Sequence, residues 1–309
     1  MAQITHRALR TLIEDFAYCD EYYSEMISAE GLLCGGPWEK YYIDGGPNPQ
    51  KLVYQICSGN ACSLAKAAAM LDNYECAGID INLGCCAPDI LRSGAGAAWL
   101  FNAEAAKAMV ALVRKNVLRH RLSVKLRIGA ADDFENLVSF SKMLQEEGVE
   151  QITLHPRTTK EKFKAYARWE YVEALKRELK IIVAGNGDIK TPKQLASVQT
   201  SNVCDAVMVG RLAVQKPWCF AEACGKLDTE IDLEHTALKF IEYLKLYQPQ
   251  VFWYSRARRF FFYFCNNFKW AEYMRNELNR LQDIDQMSEC LRKYFAENPS
   301  EKILRSIST

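Results

Sequence analysis

The sequence predicts an α/β fold: a (β/α)8 TIM barrel followed by a smaller all-helical C-terminal domain. Three observations carry this. Short β-branched runs alternate with longer helical patterns, the strand signals stop after about residue 228, and no predicted strand is followed by the G-x-G-x-x-G fingerprint of an open doubly wound sheet. The expected division is 1–228 for the barrel and 229–309 for the helical domain.

In chain order, MAQITHRALRTLIEDF reads as a loop and a first helix, with no strand signal ahead of it, so the first of eight strands is expected to be clipped. Seven strands follow: YCDEYYSEM (18–26), KLVYQIC (51–57), GIDINLG (78–84), LSVKLRI (122–128), QITLHPR (151–157), KIIVAGN (180–186) and DAVMVGR (205–211). Between them SLAKAAAMLDNY, NAEAAKAMVALVRKNV, DFENLVSFSKMLQEEG and WEYVEALKREL repeat apolar residues at three and four, the helical period. Beyond residue 228, HTALKFIEYLKLY, SRARRFFFYFCNNF, WAEYMRNELNRLQ and DQMSECLRKYFAE read as three or four helices.

Composition limits the function classes. The chain has 309 residues, 49% apolar and 25% charged, and contains no run of about 18 apolar residues that could span a bilayer. No basic segment followed by an apolar core opens the chain, so a cytoplasmic, membrane-free protein is expected. The twelve cysteines are scattered, with no CxxC pair, which fits a reducing compartment better than a disulfide scaffold. Four histidines and no finger-like spacing predict no metal site. The net charge is +1, but residues 236–309 hold 12 Lys+Arg against 8 Asp+Glu, a local +4 that leaves about −3 elsewhere.

In a parallel barrel the chemistry collects at the carboxyl ends of the strands. Here those ends carry Glu25, Gln55, Asn82 and Cys85, Lys125 and Arg127, His155 and Arg157, Asn186 and Asp188, and Gly210 and Arg211. Each alone reads equally well as a satisfied strand cap. GNGDI and GRLAVQKPW are similar to phosphate-binding loops, where glycines let backbone N–H groups approach an anion. A phosphate there points to a phosphorylated cofactor such as FMN, with Lys125 and His155 beside its ring.

Taken together, MAQITHRALR, SEMISAEGLL, VYQICSG, DINLGCCAPDILRSGAGAAWL, VKLRIG, HPRTTKEKFKAYARW, VAGNGDI and VMVGRLAVQKPW resemble the tRNA-dihydrouridine synthase family of bacterial type, in order from Met1 to about Phe220. The resemblance implies an FMN-dependent oxidoreductase that reduces uridine in tRNA to 5,6-dihydrouridine, reloaded by NADPH, with Cys85 of Gly84-Cys85-Cys86 as the proton donor. An ordinary thiol is mostly protonated at neutral pH, which suits a general acid. By position, Gln55, Lys125 and His155 would contact the flavin. Asn186, Gly187, Asp188, Gly210 and Arg211 would belong to its phosphate end, and Asn82 and Arg157 would meet the uracil. Three positions depart from the family pattern: Cys86 stands in place of proline, Glu161 in place of glutamine and Ala165 in place of glycine.

A uridine stacked in tRNA must swing out to react, and binding elsewhere must offset that. Arg256, Arg258 and Arg259, followed by Phe260 to Phe264, Lys269 and Trp270, interleave cations with rings as RNA-binding surfaces do. The rings also read as a helical core with the arginines on its wet face. A monomer is expected. Two other functions fit parts of the pattern: an FMN barrel acting on a free pyrimidine, like dihydroorotate dehydrogenases, and a tRNA-binding paralogue without turnover.

Overall fold

The computed structural model describes residues 1–162, 164–227 and 230–305. The expected domain boundary at 228/229 lies outside the described residues. The chain forms two compact units, one of residues 21–189 and 197–209, the other of 1–20, 190–196 and 210–309.

The first unit holds a parallel sheet of eight segments: β1 (Tyr22–Tyr23), β2 (Ile27–Ser28), β3 (Leu52–Cys57), β4 (Gly78–Leu83), β5 (Arg121–Arg127), β6 (Gln151–His155), β7 (Ile182–Asn186) and β8 (Ala206–Met208). Its order is β1-β3-β4-β5-β6-β7-β8, with β2 also pairing β3. This is the sequential parallel order of a TIM barrel, with helices Ala61–Leu71, Ala103–Arg114, Phe134–Glu146 and Trp169–Glu178 between the strands. Asn60, Asn102 and Asp133 cap the first three of these by accepting the Ser63, Ala105 and Asn136 N–H groups. No strand precedes helix Arg7–Glu14 among the described residues.

The expected strand 18–26 is broken into β1 and β2. Ser24 donates its N–H to Val53 O at 2.9 Å, but its side-chain oxygen rather than its carbonyl receives the Gln55 N–H, at 3.0 Å. A hydroxyl in the ladder displaces the main chain and interrupts the strand. The strand 151–157 stops at His155 because Pro156 has no N–H to extend it.

Strand alternation divides the sheet's two faces. Ile79, Ile81, Leu83, Leu122, Val124, Leu126, Ile152 and Leu154 lie on one face, all buried. The other carries Asp80 and Asn82, then Ser123, Lys125 and Arg127, then Gln151, Thr153 and His155. Register aligns these polar residues in rows: Gln55 opposite Asp80 and Asp80 opposite Ser123, then Asn82 opposite Lys125, then Arg127 opposite His155.

In the second unit, helices Leu233–Tyr247, Gln250–Phe264, Ala271–Arg280 and Ile284–Glu297 enclose an aromatic core. Phe240 stacks on Phe260 with centroids 3.6 Å apart, Phe260 on Phe264 at 5.0 Å, and Phe268 meets Tyr294 and Phe295. The rings of FFFYF are therefore mostly core, as burial of such large apolar surface favours.

Candidate active site

The polar face of the barrel sheet carries an unbroken hydrogen-bond chain that ends on the Cys85 loop. Ser123 Oγ donates to Asp80 Oδ1 at 2.7 Å, Gln55 Nε2 donates to Asp80 Oδ2 at 2.8 Å, and Asn82 Nδ2 donates to Gln55 Oε1 at 2.8 Å. Asn82 Oδ1 then accepts the Gly84 and Cys85 N–H groups at 3.1 and 2.9 Å. Two further clamps complete the loop: Ala97 N–H donates to Cys85 O at 2.9 Å and Arg127 Nε donates to Gly84 O at 3.0 Å. Gly96 must be glycine here, because its φ is +60° and a Cβ would come within 2.6 Å of Cys85 O. Cys85 and Cys86 are both half-buried.

Burial pushes the Asp80 carboxyl up to about 6, against the opposing effects of Ser123, Gln55 and the Lys125 cation. Burial likewise lowers the Lys125 ammonium to about 8, with Asp80 acting to raise it. Lys125 Nζ makes no hydrogen bond among the described residues, and one N–H each of the Gln55 and Asn82 amides is also uncommitted there. The site thus offers uncommitted N–H donors and a cation.

Arg127 is buried and ties two loops together, since Nη1 also donates to Thr158 O and Lys162 O at 3.1 and 3.0 Å. In that second loop Arg168 holds the Glu161 carboxylate, which also accepts the Thr158 N–H, and this draws its pKa down to about 2.

His155 sits beside Arg157, whose Nη1 lies 2.9 Å from His155 Nε2. A guanidinium cannot accept a hydrogen bond, so Nε2 is the acceptor and the neutral ring carries its proton on Nδ1. Arg157 is 2% exposed, with Nε on Ala165 O at 2.6 Å and Nη2 on both Asp188 oxygens at 2.7 and 2.6 Å. The structure therefore joins Arg157 and Asp188 as an ion pair beside His155. Asp188 has φ +55° and also accepts the Ala167 N–H, tying the β6 and β7 loops together. Asn186 Nδ2 donates to Met208 O at 2.8 Å. Gly187, at φ +133°, has no room for a side chain, as a Cβ would lie 2.9 Å from Ala167 Cβ.

In the other unit, Arg211 is exposed and opens the short helix Arg211–Gln215, and Gly210 precedes it. The three arginines expected on one wet face divide. Arg258 and Arg259 are exposed, but Arg256 is 2% exposed and its guanidinium lies 4.7 Å from the Phe252 ring centre. Arg256 shares the i, i+4, i+8 face with Phe260 and Phe264, which is why it turns inward. Phe262 and Trp270 stay exposed, under Arg275 and Lys269 respectively.

Among the described residues, no helix is long and apolar enough to cross a membrane, and no cluster of His, Cys, Asp and Glu could hold a metal. Sequence reasoning did not single out Asp80 or Ser123, nor Arg127 as a loop tie; the signal available was the matched alternation of β4 and β5.

The family model for dihydrouridine synthase matches residues 1–307. The chain belongs to the dihydrouridine synthase family. It is accordingly an oxidoreductase enzyme. As a dihydrouridine synthase it is 28% identical to tRNA-dihydrouridine synthase B of Pseudomonas aeruginosa, over 96% of this chain and 91% of that one. It is 31% identical to a probable tRNA-dihydrouridine synthase of Aquifex aeolicus over 80% of this chain and 78% of that one. The Escherichia coli K12 tRNA-dihydrouridine synthase B is 27% identical, over 96% and 94%. Among solved structures, histamine dehydrogenase from Rhizobium sp. 4-9 is similar with a TM-score of 0.52 at 10% identity, covering 77% of this dihydrouridine synthase and 46% of that chain, a likeness of fold alone.

Proposed function

We propose that this dihydrouridine synthase reduces specific uridines of tRNA to 5,6-dihydrouridine, with FMN as its bound cofactor and NADPH as electron donor, acting as a cytoplasmic monomer whose residues 229–309 serve tRNA binding. The observation that carries this reading is Cys85 clamped at the carboxyl end of β4 beside the Lys125 cation and amides with N–H groups to spare.

That donor set is the test of whether FMN fits. The Lys125 ammonium and the spare N–H groups of Gln55 and Asn82 suit the carbonyl and ring-nitrogen acceptors of a flavin and the carbonyls of a uracil. Gly187 and Asn186 lie at the β7 end where backbone can approach a phosphate closely. The residues present fit the cofactor.

When bound, FMN supplies the hydride that adds to carbon 6 of the uracil. The chain's own part is to hold the base and to deliver a proton. Cys85 Sγ gives its proton to carbon 5, and the buried cations Lys125 and Arg127 favour the thiolate left behind. Arg258 and Arg259, with the exposed rings of Phe262 and Trp270, offer phosphate and stacking contacts that offset removal of the base from its stack.

The test is dihydrouridine formation in unmodified tRNA. Cys85→Ala retains yellow FMN and loses uridine reduction by about 10²-fold or more, the range of a general acid. Loss on Cys86→Ala with Cys85→Ala active overturns the assignment of the donor, and a protein that purifies without FMN and forms no dihydrouridine overturns the function.

A further inference from the structure

The hydrogen-bond chain beneath Cys85 has a direction, and its direction is set at one residue. We propose that Asp80 is a positioning residue: as an acceptor-only carboxylate it fixes the orientation of the Gln55 and Asn82 amides and so holds the Cys85 loop in place.

The Gly84 and Cys85 N–H groups both point at one terminal atom of Asn82, and only an oxygen can meet two donors. Asn82 must therefore present Nδ2 to Gln55, Gln55 must receive it with Oε1, and Gln55 must turn Nε2 toward Asp80. Each amide has two chemically different ends, so the orientation at one link dictates the next. Something at the far end has to forbid the reversed arrangement. Ser123 cannot, because a hydroxyl both donates and accepts, and its proton has a second acceptor in Ile79 O at 3.5 Å. Asp80 can, since both its oxygens accept, one from Gln55 Nε2 and one from Ser123 Oγ. Asp80 is wholly buried, and no side chain of Asp80, Gln55 or Asn82 has another hydrogen-bond partner among the described residues, so the chain has no competing branch.

The same logic predicts what an amide at position 80 does. In D80N either end can face Gln55, Gln55 and Asn82 become free to reverse, and the reversed Asn82 sets an NH2 group against two N–H groups. In N82D the new carboxylate still receives the loop but meets Gln55 Oε1; turning Gln55 sets that oxygen against Asp80. The double variant D80N/N82D resolves both conflicts by running the whole chain in the opposite sense, from the position 82 carboxylate through a turned Gln55 to the position 80 amide and Ser123.

Two measurements on purified protein test this without relying on turnover: amide hydrogen exchange at Gly84 and Cys85, and the melting temperature. Each single variant is expected to exchange these two amides at least about tenfold faster than wild type, and the double variant to restore protection. D80N speeds exchange in wild type and slows it in N82D, a change of sign that mere loss of a buried group does not produce, and it raises the melting temperature of N82D. If D80N does not fold, comparing N82D with the double variant carries the same test. Unchanged exchange in D80N, or a double variant no more stable than N82D, overturns the proposal. That the held residue is the proton donor rests on the proposed function. Dihydrouridine formation by wild type is measured alongside, and its failure overturns that reading while exchange and melting still decide the role of Asp80.

Discussion

Replacing Asp188 separates a supporting role from direct cofactor contact. The Arg157 side chain is 3% exposed and Asp188 19%, and the two are joined by two charge-assisted hydrogen bonds of 2.7 and 2.6 Å. Removing one partner of a buried ion pair leaves an uncompensated charge and typically costs about 3–5 kcal/mol. Because Asp188 is partly wet, the lower end applies, and Asp188→Ala should lose about 3 kcal/mol. The aspartate also sits at φ +55°, where a Cβ is strained by about 1 kcal/mol, so Asp188→Gly should recover about that much relative to alanine. The assay is urea unfolding of flavin-free protein, read as a shift of midpoint at constant slope. A loss below about 0.5 kcal/mol in Asp188→Ala refutes the anchoring of Arg157, the ordinary range of a surface change. A loss confined to flavin-loaded protein returns Asp188 to the cofactor.

Four further outcomes are expected. Arg258→Ala with Arg259→Ala weakens tRNA binding and reduces the slope of log affinity against log salt by about 1.4–1.8, whereas Arg256→Ala lowers stability and leaves the slope alone, measured by anisotropy across a salt series. Gly187→Ala, whose Cβ would meet Ala167 Cβ at 2.9 Å, lowers stability by about 1–3 kcal/mol in thermal unfolding. Asp80 holds its proton more tightly folded, at about 6, than unfolded, near 3.8, so stability falls as pH rises through that window. At about 1.36 kcal/mol per pKa unit the fall is about 3 kcal/mol, opposed by Ser123, Gln55, Lys125 and Arg121 around the carboxylate, and the pH dependence of urea unfolding in Asp80→Asn should lack it. Cys86→Pro removes no hydrogen bond made by the Cys86 N–H among the described residues, and should keep uridine reduction within about threefold of wild type in the tRNA assay.

The barrel was legible because its β-branched runs are short, parallel and separated by helices with the right period, and because polar residues gather at one end of each run. The interior was harder to read. IDIN, SVKLR and QITLH alternate polar with apolar residues, a pattern that ordinarily means one wet face, yet here Asp80, Ser123 and Thr153 are wholly buried because the polar face is the inside of the barrel. Only register, which pairs Gln55 with Asp80 and Asn82 with Lys125, turns those isolated residues into a network. Arg157 and Asp188 lie 31 positions apart, and nothing in their spacing indicates that one neutralises the other. Arg256 is different, since its helical offset from Phe260 and Phe264 was visible in the sequence and the row of like charges drew attention away from it.

Cys86 follows a loop that the same network already holds. Proline restricts a loop by fixing one φ and removing one donor. In this loop the restriction comes from hydrogen bonds on either side of Cys85: the Gly84 and Cys85 N–H groups on Asn82, Gly84 O on Arg127, and Cys85 O on Ala97. These fix every main-chain polar group from Gly84 to Cys85, so the backbone that carries the Cys85 thiol is set before residue 86 is reached. Position 86 then needs only to lead into the helix Pro88–Arg92, whose own proline at the first turn fixes the chain direction two residues later. The Cys85 backbone is thus tied to the barrel interior through Asn82, Gln55 and Asp80.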